Sequence, residues 1–115
     1  MQSGLVDPVA VRAARLAAGL SQSQLARRLG VGVINVSRWE TGVSSPTPHR
    51  LPVVAQALAV PVEGILSQEA LNGGALLLQR LHVGLTQAEA AAAEGISTAS
   101  YVRRERAGAR SRPAD

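Results

Sequence analysis

The sequence has no cysteine, no phenylalanine and no lysine, and a single tryptophan and a single tyrosine. Without cysteine there is no disulfide, no thiolate zinc site and no thiol nucleophile. That fits a reducing compartment without requiring one. Without phenylalanine the core has to be built from Ala, Val, Leu and Ile. No apolar run approaches the ~18 residues that a membrane span needs. The start, MQSGLVDPVA, lacks the basic flank and apolar stretch of a signal peptide. No membrane association is expected. His49 and His82 stand apart from each other and from any acidic cluster, and no Gly-rich loop follows a strand. Neither a metal, a cofactor nor catalysis is expected.

What is present is a helical pattern with a basic balance. The 115 residues suit one domain or two very small ones, too few for a large α/β enzyme. All 12 basic residues are arginine against 8 acidic ones, and the resulting charge of +4 permits an anionic partner without demanding one. Few stretches alternate as strands do. VPVEGI at 60–65 comes nearest, and Pro61 and Gly64 argue against it. The chain is expected to be all-α.

Punctuation places the helices. Pro8 suits a first helical position, and a helix is expected from about Asp7 or Pro8 to Ala18 with Gly19 as its stop. Val9, Arg12, Ala13 and Leu16 fall near one stripe of it. Ser21 and Gln24 form an S-x-x-Q capping box for a second helix that Gly30 ends. A third helix is expected over 33–41 with Gly42 as its stop. It has Val36 and Trp39 inward and Ile34, Asn35 and Arg38 outward. A fourth is expected from Pro52 to Ala59, and VEGIL after Pro61 reads as a short fifth. Asn72-Gly73-Gly74 marks a linker over 67–74.

Residues 21–42, SQSQLARRLGVGVINVSRWETG, thus read as short helix, tight glycine turn, short helix. In such an arrangement the first helix braces across phosphates while the second enters a major groove ~12 Å wide. The residues that match this plan, GLSQSQLARRLGV, SRWETG and LPVVAQALAVPVEGIL, resemble the Cro/lambda-repressor-type (XRE) helix-turn-helix family over 9–66, about half of the chain.

The resemblance implies a five-helix DNA-binding domain over 7–66. Gln22 matches a position that meets the DNA backbone and nearby bases, and Val33, Ile34 and Arg38 match base-reading positions. Asn35 and Ser37 match their phosphate- or base-touching neighbours. Arg27 and Arg50 are expected near phosphates. Arg15 and Glu40 match a structural ion pair between the first and third helices. Val33 and Ile34 depart from the usual polar residues; they can touch thymine methyls but not bond bases, which leaves Arg38 as the guanine candidate. Gly32 replaces the usual serine cap, costing the third helix a few tenths of a kcal/mol.

An offset of 65 repeats the pattern with nine identities over the 32 positions 76–107, among them Arg80, Leu85, Gln87, Arg103 and Glu105. Arg80 and Glu105 repeat the ion pair, Thr86 and Glu89 repeat the capping box, and Ser97 caps a second candidate recognition helix. Three core positions change: Leu25 to Ala90, Leu29 to Glu94 and Trp39 to Arg104. No sequence for a fourth and fifth helix follows. The 75–107 copy therefore reads as a degenerate helix-turn-helix that packs on the first copy or on another subunit. A flexible basic tail is expected over 108–115. Arg103 to Arg112 carry five arginines against one glutamate, a possible phosphate-binding arm with Arg103 at its head.

The expected function is a sequence-specific transcriptional regulator, a repressor, that reads duplex DNA with helix 33–41. The resemblance implies a homodimer on paired half-sites in a cytoplasmic, bacterial or phage-encoded setting. The alternative is an antitoxin-like or adaptor protein whose helix-turn-helix segments mainly bind a protein partner or dimerise, a reading favoured by apolar Val33 and Ile34.

Overall fold

The computed structural model describes residues 5–110. Most of the tail expected over 108–115, Arg112 included, lies outside the described residues. Eight helices and two 3-10 turns account for the architecture, and no strand longer than one bridge occurs among the described residues.

The first unit is assembled from capped helices. Helix α1, Pro8–Ala17, opens where the Asp7 carboxylate accepts the Val9 amide at 3.0 Å. Helix α2, Gln22–Leu29, opens on a reciprocal box: Ser21 Oγ accepts from the Gln24 amide at 3.0 Å, and Gln24 Oε1 accepts from the Ser21 amide at 2.8 Å. Helix α3, Val33–Thr41, has no side-chain cap at Gly32 and stops at Gly42, which takes φ 82°. A 3-10 turn, Pro48–Arg50, leads into α4, Leu51–Leu58. The fifth helical segment is a 3-10 turn, Val62–Ile65. Residues three apart eclipse in that geometry, so Val62 and Ile65 both enter the core. The chain then closes on its own start: Asp7 donates to the Ile65 carbonyl at 2.9 Å and Ser67 to the Leu5 carbonyl at 2.7 Å.

The buried face of α1 lies opposite the stripe of Val9, Arg12, Ala13 and Leu16. Val11 and Arg15 are buried, whereas Val9, Arg12, Ala13 and Leu16 face solvent. The reason is the Arg15 guanidinium. It is taken into the fold by Glu40, and it turns the helix so that Val11, one turn earlier, enters with it.

The segment 67–74 holds a one-turn helix, α5, Gln68–Leu71, capped by Ser67 and burying Ala70. The second unit follows as α6, Ala75–Val83, α7, Gln87–Glu94, and α8, Thr98–Arg110. Helix α6 is shared. Leu77 and Leu81 join the large core with Val54 and Leu58 of α4, while Leu76 lies against a small core of Ala90, Ala91 and Tyr101. Their counterparts on α1 by the 65-residue offset, Arg12 and Leu16, are exposed. The second unit therefore docks on the first through the α6 face that α1 presents to water.

The three changed positions are not simple losses. Ala90 in place of Leu25 is matched by Tyr101 in place of Val36, and Tyr101 is the largest fully buried side chain. Glu94 and Arg104, in place of Leu29 and Trp39, are exposed and pair with each other at 3.2 Å. A face that needs no covering helix has replaced one that does.

The histidines, solitary in sequence, each meet a glutamate across the two units. His49 Nε2 lies 2.8 Å from Glu89 Oε1, and His82 Nε2 lies 2.6 Å from Glu63 Oε2. The His82 hydrogen bond, with one from the backbone, holds the Glu63 carboxyl below its ordinary range. Gly84 completes the contact. It takes φ +78°, and a Cβ there would come 3.0 Å from the Pro48 carbonyl oxygen and 3.1 Å from Pro52 Cγ.

Candidate nucleic-acid interface

One buried network sets the position of α3. Arg15 Nε donates to Glu40 Oε2 at 2.5 Å and Nη2 to Oε1 at 3.0 Å, while Nη1 donates to the Leu20 carbonyl at 2.8 Å. Gln22 Nε2 donates to Glu40 Oε1 at 3.0 Å. The Arg15 fork thus bonds both oxygens of one carboxylate and the loop that opens α2. Burial alone would raise the Glu40 pKa. The Arg15 and Gln22 hydrogen bonds and the nearby positive charge outweigh burial and hold it below its ordinary value. Glu40 Oε1 consequently ties α1, α2 and α3 together at one atom.

With Val36 and Trp39 buried, α3 turns Val33, Ile34 and Arg38 to solvent, and Asn35 and Ser37 are half-buried at the edges of that face. Val33 and Ile34 are 46% and 56% exposed, which is high for adjacent large apolar residues on a helix. Beside them a shallow cleft of about 200 Å³ is lined by Asn35, Ser44, Ser45, Thr47 and Arg50, together with Val31, Trp39 and Pro46. Arg50 is thereby brought to the base of α3, with hydroxyl and amide groups around it. Arg27 is exposed but lines a different cleft, with Leu20, Gln24 and Arg28. Arg103 lies on α8 of the second unit, exposed, with Nη2 3.3 Å from Ser100 Oγ.

Gln22 serves two ends. Its amide nitrogen bonds inward to Glu40, and its half-exposed position keeps the group at the surface beside α3.

The second unit carries the same network atom for atom. Arg80 Nε donates to Glu105 Oε2 at 2.7 Å and Nη2 to Oε1 at 3.3 Å. Arg80 Nη1 donates to the Leu85 carbonyl at 2.9 Å, and Gln87 Nε2 to Glu105 Oε1 at 2.9 Å. The two networks are therefore equivalent, and each fixes three helices of its unit by the same bonds.

Residues 11–65 match the family described as helix-turn-helix. They are a helix-turn-helix domain of the Cro/lambda-repressor (XRE) type. A protein of Rhodospirillum rubrum, described as an uncharacterized transcriptional regulator in ATPase CF(0) region, is 40% identical over 57 residues. Those residues cover 50% of this chain and 53% of the relative, so the chain spans about half the length of that relative. No solved structure matches. The helix-turn-helix domain holds α1 to α4 and the 3-10 turn over 62–65, and the second unit lies outside the matched residues.

Two features escaped the sequence reading. The role of Gln22 and Gln87 as the third member of each network was missed, although both recur with Arg and Glu at the 65-residue offset. The pairing of each histidine with a glutamate of the other unit depends on docking, which no local pattern encodes. Among the described residues no group of three His, Asp or Glu side chains is set to hold a metal, and no helix is long and apolar enough to cross a membrane.

Proposed function

We propose that the protein is a transcriptional regulator that binds duplex DNA by placing α3 in the major groove. The carrying observation is the exposed α3 face, fixed from behind by the Arg15–Glu40–Gln22 network and the buried Trp39. A reading helix has to arrive in one orientation, and a buried bidentate pair bonded to a third helix supports that. Arg38 is the guanine-reading residue. Val33 and Ile34 touch thymine methyls, and Asn35 and Ser37 bond bases or phosphates at the groove edge. Gln22, Arg27 and Arg50 contact phosphates, and Arg103 adds charge from the second unit. The regulator acts as a repressor by covering its operator, as a homodimer on half-sites about 34 Å apart.

A second reading follows from the same helix. Adjacent exposed Val33 and Ile34 also suit an apolar protein partner or self-association, as in an antitoxin-like or adaptor role. Titration of the full chain against labelled duplex over a range of salt separates the two. Several phosphate contacts make log K fall with log salt at a slope of about −0.9 per contact. A steep fall supports DNA, and absence of binding at low salt removes it.

A further inference from the structure

Helix α8 differs from α3 in three ways, all on the second unit. Its start is capped: the Ser100 amide donates to Ser97 Oγ at 3.1 Å, where Gly32 gives α3 no such bond. It runs further, because Ala107 stands where Gly42 stops α3, and it continues to Arg110. Its outer face is basic. Ala99, Arg103 and Arg106 succeed each other at helical spacing, and all three are exposed. Arg103 falls on the position of Arg38, and Arg106 continues the face by one turn where α3 has Thr41.

Among the described residues the unit is held by its own contacts. Tyr101 fills the small core, the Arg80–Glu105–Gln87 network holds α8 from behind, and the Glu94–Arg104 pair makes the uncovered face polar. Glu105, the acidic residue of α8, is buried against Arg80 and does not offset the outer arginines. On the docked pair of units, Glu89 in the first turn of α7 reaches His49, the neighbour of Arg50. The first turn of α7 therefore adjoins the turn of the first unit that carries Arg50.

We infer that α8 is a second duplex-DNA-binding helix, which engages phosphates and the groove edge through Arg103 and Arg106 on a DNA segment next to the one read by α3. This rests on the DNA-binding reading above, and each chain then covers two unlike contact segments. An outer arginine stripe fits a polyanion and not an apolar partner, and its presentation by the same network as α3 favours a duplex.

The test uses the full chain and a labelled duplex of about 30 mixed base pairs, followed over a range of salt, with wild type, R103A/R106A, R103K/R106K and R38A. Both arginines are exposed, so the variants keep the fold, which circular dichroism checks. R103A/R106A is expected to weaken binding by roughly tenfold at low salt and to lower the salt slope by about 1.8, the share of two phosphate contacts. The lysine variant is expected to restore the slope. Hydroxyl-radical footprints on a duplex selected by the wild-type chain are expected to lose one protected segment in R103A/R106A and to keep the other. An unchanged affinity and slope, or uniform fading of the whole footprint, overturns the inference. A loss confined to R103A/R106A with R38A inert overturns the role of α3 instead and leaves α8 standing.

Discussion

Arg104 Nη1 lies 3.2 Å from Glu94 Oε1, at the two positions that Trp39 and Leu29 hold in the first unit. In the first unit α4 packs on α2, and Trp39 and Leu29 join the core that α4 shares. In the second unit the described chain continues as α8, with no counterpart of α4, and the pair faces water. Removal of Arg104 then costs at most about 1 kcal/mol, as for an exposed ion pair. Trp39→Ala costs about 3–5 kcal/mol, as for a buried aromatic. Denaturant unfolding of both variants measures the contrast. The double reversal E94L/R104W exposes two large apolar side chains and is expected to promote self-association, read by sedimentation velocity.

The shared atom Glu40 Oε1 gives the fold an acid-sensitive link. The Glu40 carboxyl is held below its ordinary value of 4.5, because its hydrogen bonds and the positive charge beside it together exceed the upward push of burial. A group lowered in the folded state stabilises in full above about pH 4.5, and the contribution is lost as pH falls through the folded value. Stability measured by denaturant at stepped pH is expected to drop on that acid side, and E40Q is expected to flatten the drop. E40A, which leaves the buried Arg15 unpaired, costs about 3–5 kcal/mol at neutral pH. An acid limb identical in E40Q and wild type contradicts the assignment.

The two units are expected to differ in local stability. The second has a small core of Ala90, Ala91 and Tyr101, whereas the first buries residues from every one of its helices. Amide exchange in α7 and α8 is expected to be faster than in α2 and α4. Tyr101→Ala, at about 3–5 kcal/mol, is expected to unfold the second unit locally with little change in Trp39 fluorescence. Equal protection across both units contradicts this.

Docking depends on a close backbone approach at Gly84. Gly19 and Gly84 occupy equivalent positions with φ +75° and +78°, but open space surrounds the first and Pro48 and Pro52 crowd the second. Both alanine variants pay the left-handed backbone strain of about 1 kcal/mol. G84A also has to displace the Pro48 carbonyl, so it is expected to cost clearly more than G19A and to loosen the second unit. Equal unfolding midpoints for the two variants contradict that contact.

Much of this was legible in local chemistry. The S-x-x-Q and T-x-x-E boxes and the stop at Gly42 mark helix ends because they satisfy backbone groups within a few residues. The Arg15–Glu40 and Arg80–Glu105 partners lie 25 residues apart and were identified by family resemblance and repetition, not by spacing. The apolar stripe of α1 does not mark its buried face, because Arg15, matched in the interior by Glu40, enters with Val11. The histidine pairs and the Gly84 contact arise between units, where sequence separation carries no signal. The compensation of Ala90 by Tyr101 required knowing that positions 25 and 36 share one core.

The account rests most on α3 as a reader of DNA. Selection of duplexes from a random pool by the full chain, repeated with R38A, tests it directly. The account predicts enrichment of a defined site, with preference relaxed at one position in R38A at a cost of about 1–3 kcal/mol. No enrichment at low salt, or an identical site selected by R38A, contradicts it.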